Sequence, residues 1–418
     1  MTKAKKTRAS VRYDNHHARL RDGESQRKDG SYSYRWTDRL GNRHAVYAQT
    51  LEKLREKEEQ VQADIHDGIR ADKRSMTINE MYNLWVELKR GIRNTTMSNY
   101  MYAYECNVRP VFGQKRLALI KKTDIRRFYN NLHDVKGMKV NSIDVVHTVL
   151  HQVFQMAVDD DIIRSNPTEN MLRELKVSFG SDSVKRHALT VAQQKIFQEY
   201  LLRTPKYQHW YPIFFIMANT GMRVGEIIGL RWQDVDFQNG LISVNHNVVY
   251  YNGKAGKGKF CYTVNAPKTR AGERLIPMTT AVIEAFKMER EFQDMVGIKN
   301  TASIDGYSDF IFCNRDGKMV SESSLNKALK RIIRDCNAEL IDMYGIDKVP
   351  TFLPQFSCHY LRHTCATRLC ESGMNLKMVQ AILGHGDIQT TMNIYVSVTE
   401  DLRKKELNVL EEYLSKLE

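Results

Sequence analysis

Cysteine is scarce in this chain and badly spaced for cross-linking: there are seven in 418 residues, an odd number, with no Cys-x-x-Cys pair. Neither a disulfide framework nor a cysteine zinc site is indicated. Cys358, Cys365 and Cys370 lie within or beside an apolar helical pattern and read as core thiols. Long hydrophobic runs are also missing. No apolar segment opens the chain, and the most apolar stretch, residues 210–218, is too short to cross a bilayer. Internal repeats and low-complexity tracts of note are absent too, and no carboxylate cluster with metal-site spacing lies near the motifs described below. These absences leave a reducing, cytoplasmic protein as the expectation, with no membrane partner.

Acid is the other shortage. The 49 Asp and Glu face 63 Lys and Arg, for a net charge of +14 and a sequence pI of about 9.3. Such a balance points to a polyanion, with DNA or RNA first. A merely basic cytosolic protein is the plain alternative. The charge is uneven: residues 1–50 hold 12 Lys or Arg against 5 Asp or Glu, half the chain's excess. That arm suits phosphate contact, and equally a solvated tail.

The length allows two or three domains, each with its own core. Residues 1–20 are basic and polar and read as disordered until bound. Three short strands follow near 23–27, 31–37 and 44–48, then a charged helix from 51 to about 68. Arg27, Lys28, Arg35, Arg39 and Arg43 surround the strands. A sheet face so decorated can enter a major groove, or can be a small scaffold with aromatic packing.

From Thr77 the pattern turns helical, with Glu80 completing a capping box. Further helices are predicted from about 95, over 123–133 and over 142–159, the last with an apolar stripe of Val145, Val149, Phe154 and Ala157. Residues 174–187 have linker chemistry around Phe179-Gly180-Ser181-Asp182-Ser183. From Leu189 onward helices enclose a strand group at about 241–250, 259–265 and 274–278.

Six residues of this last region stand out by their surroundings. Arg223 lies in Thr220-Gly221-Met222-Arg223-Val224-Gly225-Glu226, where it can hold a phosphate or pair with Glu226. Lys268 lies in Ala266-Pro267-Lys268-Thr269, between two predicted strands, where most lysines face solvent; Arg270 and Lys254, Lys257 and Lys259 are close in sequence. His359 and Arg362 are three apart, so a helix sets them on one face, while Leu361, Cys365 and Leu369 give that helix a separate apolar side. His385 follows Leu383-Gly384, where glycine closes a helix over 376–383. Tyr395 comes ten residues later, in Met392-Asn393-Ile394-Tyr395, within a helix starting near Asp387.

Taken in this order, the six residues resemble one family, the tyrosine recombinases or phage-type integrases. The resemblance implies Arg223 and Arg362 as a phosphate clamp, Lys268 as the acid for the leaving 5′ oxygen, and His385 as a donor to the scissile phosphate. It makes His359 a proton acceptor or a holder of a clamp oxygen, and Tyr395 the nucleophile. One departure stands out: the family often has a histidine two residues after the nucleophile, and here that position is Ser397. The three-part layout, with Gly-Glu-Ser-Gln-Arg-Lys-Asp-Gly at 23–30, looks like integrases of conjugative transposons.

The implied architecture is multidomain. A small three-stranded β-sheet plus helix forms an N-terminal domain over 1–72 that binds arm-type DNA sites. An all-α core-binding domain covers 76–173, and 174–187 is a linker. A mixed α/β, mainly helical catalytic domain covers 188–418. It ends in an exchange helix over 399–417, whose Leu402, Leu407, Val409, Leu410, Tyr413, Leu414 and Leu417 are donated to a neighbouring subunit or folded back on their own domain.

The implied activity is site-specific recombination through a 3′-phosphotyrosine, integrating and excising a mobile element. The phosphoester energy stays in the intermediate, so no cofactor, metal or ATP is called for. The implied partners are double-stranded DNA at core-type and arm-type sites at the element ends, target DNA, a homo-tetramer, an excisionase and a host DNA-bending protein. Three rivals remain at this point: a type IB topoisomerase, a non-catalytic sequence-specific DNA-binding regulator, and a DNA-bridging protein.

Overall fold

A computed structural model describes residues 11–38, 41–69, 73, 75–179, 188–252, 260–267, 269–396, 407 and 413–415. Arg39, Lys268, Lys254, Lys257, Lys259 and most of the exchange-helix segment lie outside them. The described residues fall into two compact units, one on each side of 180–187.

The first unit opens with a two-strand ribbon, β1 (Arg12–Tyr13) and β2 (Arg19–Leu20). This corrects the expectation that the whole of 1–20 is disordered until bound. The cause is one side chain. Asp14 Oδ1 accepts from the His16 and Ala18 amides at 2.9 and 2.7 Å, and Oδ2 accepts from the Tyr32 hydroxyl at 2.7 Å. Strands of two residues carry too little alternation to be read in advance.

Next comes an antiparallel sheet of β3 (Glu24–Gln26), β4 (Tyr32–Thr37) and β5 (Arg43–Ala48), with β4 in the centre. Alternation along β4 buries Tyr32 and Tyr34 against Leu54 and Val61 of α1 (Leu51–His66). The other face shows Arg35, Arg43 and Tyr47, all exposed.

Five helices complete the unit: α2 (Ile78–Leu88), α3 (Asn94–Asn107), α4 (Lys122–Asp134), α5 (Val140–Asp159) and α6 (Met171–Phe179). The capping box of α2 is formed, with the Thr77 amide on Glu80 at 2.7 Å and the Glu80 amide on Thr77 Oγ1 at 3.2 Å. Val149, Phe154 and Ala157 of α5 are fully buried in the core these helices share. Residues 174–179, read as linker, are helical. Met171, Leu172 and Leu175 seat α6 on that core, and burial outweighs the polar composition that follows.

The second unit contains α7 (Val191–Arg203), α8 (Tyr211–Thr220), α9 (Val224–Ile228), β6 (Val235–Asp236), β7 (Leu241–Val244), β8 (Asn247–Asn252), β9 (Phe260–Asn265) and β10 (Arg274–Pro277). It continues with α10 (Thr280–Val296), α11 (Glu322–Tyr344), α12 (Cys358–Glu371), α13 (Leu376–Leu383) and α14 (Ile388–Val396). The stretch 241–250 is not one strand. It breaks at Asn245 and His246: β7 pairs with β10 and β6, whereas β8 pairs with β9. The buried His246 ring bonds the Gly229 carbonyl at 2.7 Å, which turns the chain out of the first sheet.

Helix α8 is apolar on nearly every side and is buried accordingly. Helix α12 packs on it and on α11, α13 and α14. A second, small core of Ala366, Cys370, Val379 and Leu383 joins α12 to α13. No helix among the described residues is long and apolar enough to cross a membrane.

Candidate active site

Arg223 stands at the joint between α8 and α9. Gly221 closes α8 in the left-handed region at φ 64°, and Arg223 is the residue before α9 begins. Its side chain is 40% exposed. Nη1 donates to Glu226 Oε1 at 2.8 Å, and Nη2 donates to the Gly384 carbonyl at 2.8 Å. The salt bridge to Glu226 and a role toward phosphate are therefore compatible, since a guanidinium has five N–H donors.

Arg362 departs from expectation. Rather than sharing an open face with His359, it is 5% exposed, while His359, one turn earlier on α12, is exposed. Neighbouring helices cover α12 nearly all round, so Thr364, Cys365, Ala366 and Thr367 are buried as well. Arg362 Nη1 donates to the Gly221 carbonyl at 2.6 Å and Nη2 to the Leu383 carbonyl at 2.7 Å. Burial, then the charge of Arg223, push its pKa down to about 9. It is still a cation at neutral pH, held where burial and the charge of Arg223 outweigh the nearby Glu226.

His385 follows the left-handed Gly384 that ends α13, as the sequence predicts. The His385 amide returns to the Gln380 carbonyl at 3.2 Å, and Gln380 Nε2 donates to the His385 carbonyl at 3.0 Å. Its Nδ1 lies 2.9 Å from Oγ1 of Thr391, which is fully buried. Burial, then the charges of Arg362, Arg223, Arg274 and His359, push the imidazole down to about 4. It is neutral at pH 7, and those four groups are gathered around it.

Two of the residues that hold this site together carried no prediction. Arg274 opens β10, with a side chain 5% exposed. It donates to Glu226 Oε1 at 3.0 Å and Oε2 at 2.8 Å, and its Nε donates to the Ile382 carbonyl at 2.7 Å. Burial pushes the Glu226 carboxyl up, but bonds and charge from Arg274, then Arg223, more than offset it and hold it below its ordinary value. Thr391 is the other. The i, i+3 spacing of Arg223 and Glu226 could have flagged the carboxylate; nothing local flags Arg274.

Tyr395 is half-buried on α14, against the small core that includes Leu383. Lys268 lies outside the described residues, but its neighbour Thr269 borders the His385 loop. A Cβ on Gly386 would meet Thr269 Cγ2 and Oγ1 at 3.6 Å. The structure thus gathers Arg223, Arg362, His385 and His359, with the helix of Tyr395 packed beside them.

In the first unit Arg27, Lys28, Arg35 and Arg43 are all exposed, and the Arg27 guanidinium lies 5.2 Å from the centre of the Tyr47 ring. Arg35, Arg43 and Tyr47 share the sheet face turned away from α1. Arg39 is outside the described residues.

Comparison with known proteins agrees with this layout. Residues 189–401 match the phage integrase family, 77–133 the phage integrase N-terminal SAM-like domain, and 8–65 the DNA-binding domain of Tn916 integrase. The transposase from transposon Tn916 of Enterococcus faecalis is 31% identical over 414 residues, 96% of each chain. A XerC-like tyrosine recombinase of Caldanaerobacter subterraneus subsp. tengcongensis is 26% identical over 399 residues, 92% of this chain and 96% of that one. The Tn1549 transposon integrase, solved with a circular intermediate DNA, aligns with a TM-score of 0.68 at 28% identity, covering 80% of this chain and 100% of that one. A lambda integrase tetramer on a Holliday junction, at 17% identity and a TM-score of 0.51 over 90% of this chain and 96% of that one, shares the fold. The chain belongs to the phage integrase family and is a tyrosine-type site-specific DNA recombinase.

Proposed function

We propose that this recombinase integrates and excises a conjugative-transposon-like element by cutting and rejoining DNA through a 3′-phosphotyrosine on Tyr395. One observation carries the reading: Arg223, Arg362 and a neutral His385 converge on the end of α13, beside the helix of Tyr395.

The chemistry follows from charge. A phosphodiester resists attack because it is anionic. Fixed guanidinium groups offset that charge and the further charge that grows in the transition state. Arg362 is held cationic in a buried site, so a phosphate oxygen there relieves a standing penalty. Neutral His385, fixed through Nδ1 by Thr391, would donate one hydrogen bond to a phosphate oxygen. The Tyr395 oxygen attacks phosphorus, its proton passes to His359 or solvent, and the bond to the 5′ oxygen breaks. Lys268 supplies the proton to that oxygen. Attack by a 5′ hydroxyl from a second duplex reverses these steps and exchanges the strands.

The partner is DNA, and the substrate assignment rests on full-length similarity to the Tn916 transposase and on the Tn1549 integrase bound to circular intermediate DNA. In this reading the sheet face with Arg27, Arg35 and Arg43 holds arm-type sites, with Lys28 and Arg39 in the flanking turns. The helical block and catalytic unit hold core-type sites. Cutting four strands with one nucleophile per chain calls for a tetramer, formed in the bacterial cytoplasm on the nucleoid. An excisionase and a host DNA-bending protein would set direction.

The test is a nicked suicide duplex carrying the element end, incubated in EDTA and run on a denaturing gel. Wild type yields a protein–DNA adduct; Tyr395→Phe binds the DNA and yields none. An adduct from Tyr395→Phe would refute the nucleophile. No adduct from either protein on bound DNA would refute the reaction.

A further inference from the structure

The last three carbonyls of α13 and its cap have no helical partners of their own. Each is taken by a different arginine: Ile382 by Arg274, Leu383 by Arg362 and Gly384 by Arg223, at 2.7, 2.7 and 2.8 Å. The negative end of a helix dipole thus faces three guanidinium groups. Only one carboxylate, Glu226, bonds any of them among the described residues.

That carboxylate is saturated. Oε1 accepts from Arg223 Nη1 and Arg274 Nη1, and Oε2 from the Arg223 amide and Arg274 Nη2, all within 3.0 Å. The two arginines differ in access: the Arg223 side chain is 40% exposed and that of Arg274 is 5% exposed. Arg274 also commits Nε, Nη1 and Nη2 to Ile382, Gly272 and Glu226, so Arg223 is the one of this pair open to a DNA phosphate.

We propose that Arg274 is a positioning residue for DNA cleavage: by occupying Glu226 it keeps that carboxylate from binding up Arg223, and so keeps an Arg223 edge available for the scissile phosphate. The inference rests on the reading of Arg223 as a phosphate ligand. If Arg274 is removed, both Glu226 oxygens lose a partner inside a buried site. Arg223 is the nearest remaining donor, and an arginine fork closes on a carboxylate as readily as on a phosphate. The substrate then competes with an internal anion.

The competition predicts an uncommon pattern. Arg274→Met slows single-turnover adduct formation on the suicide duplex by about 100-fold. Its DNA affinity, dominated by many other phosphate contacts, stays within about twofold of wild type. Adding Glu226→Gln to Arg274→Met recovers about tenfold of the rate, because the competing charge is gone. Arg274→Lys, which keeps one charge and one bond, falls between. A merely structural role gives the opposite: the double variant is slower than Arg274→Met, as lost contacts accumulate.

A second readout is independent of Tyr395 chemistry. Binding of inorganic phosphate, followed as a rise in melting temperature, weakens in Arg274→Met and returns in the double variant. If wild type bound phosphate in that order yet formed no Tyr395 adduct, the recombinase mechanism would fail while the positioning role stood. An unchanged rate in Arg274→Met, or no recovery by either readout in the double variant, overturns the proposal.

Discussion

Gly221, the cap of α8, packs on Leu383, the last residue of α13: a Cβ on Gly221 would lie 2.6 Å from Leu383 Cδ2 and 3.3 Å from Cys365 Sγ. The contact seals the floor of the site, since the Gly221 and Leu383 carbonyls are the two that hold Arg362. Gly221→Ala meets both a left-handed backbone, costing about 1–2 kcal/mol, and this clash. Gly297→Ala meets a similar backbone, φ 69°, with nothing within 4 Å of its Cβ. Thermal unfolding should therefore show a larger loss for Gly221→Ala than for Gly297→Ala, with adduct formation lost only in the former. Equal losses would show that the packing contact contributes nothing.

Thr391 should matter out of proportion to its size. It is the Nδ1 partner of His385, and it is fully buried. Thr391→Val keeps the volume and removes the oxygen, leaving the imidazole free to take the wrong tautomer. Adduct formation should drop by about tenfold at unchanged DNA affinity, and Thr391→Ser should restore it. A Thr391→Val enzyme at full rate would show that the imidazole needs no such anchor.

Glu289 gives a test by pH. It is buried on α10, accepts from Gln293 Nε2 at 2.7 Å, and burial pushes its carboxyl up to about 7. In the unfolded chain it ionises near 4.5. Between those values the unfolded state loses its proton first, so native stability falls as pH rises and levels off above 7. Glu289→Gln removes that penalty. Its melting temperature should match wild type at pH 4 and exceed it at pH 8, by at most about 3 kcal/mol in free energy. An equal difference at both pH values would exclude a buried carboxyl with a raised pKa.

Much of this site was legible in the sequence because its residues sit at helix ends, which glycine and spacing announce. Gly384 fixed the end of α13 and with it His385. The capping box marked the start of α2. What stayed hidden follows from packing. The open face assigned to Arg362 required knowing that four other helices enclose α12. The break at His246 is caused by a bond to Gly229, a partner 17 residues away. Arg274 reads as an ordinary strand residue, since its partners are a carboxylate 48 residues upstream and a backbone carbonyl 108 residues downstream. Anchors made of carbonyls have no side-chain signature, so positions 382 and 383 look like any apolar helix end.

The charge inventory of the site has a consequence for which state of the substrate it favours. Arg223, Arg274 and Arg362 contribute three positive charges, Glu226 removes one, and His385, titrating near 4, adds none, so the described cluster carries 3 − 1 = +2. A bound phosphodiester brings −1. When the phenolate oxygen has joined phosphorus and the 5′ oxygen has not yet left, the same atoms carry −2. For these four side chains the balance is +1 with the intact phosphodiester and 0 with the pentacovalent phosphorus, and a cationic Lys268 adds equally to both, so on the proposed mechanism the site is better matched by the substrate half way through its reaction than by the intact strand.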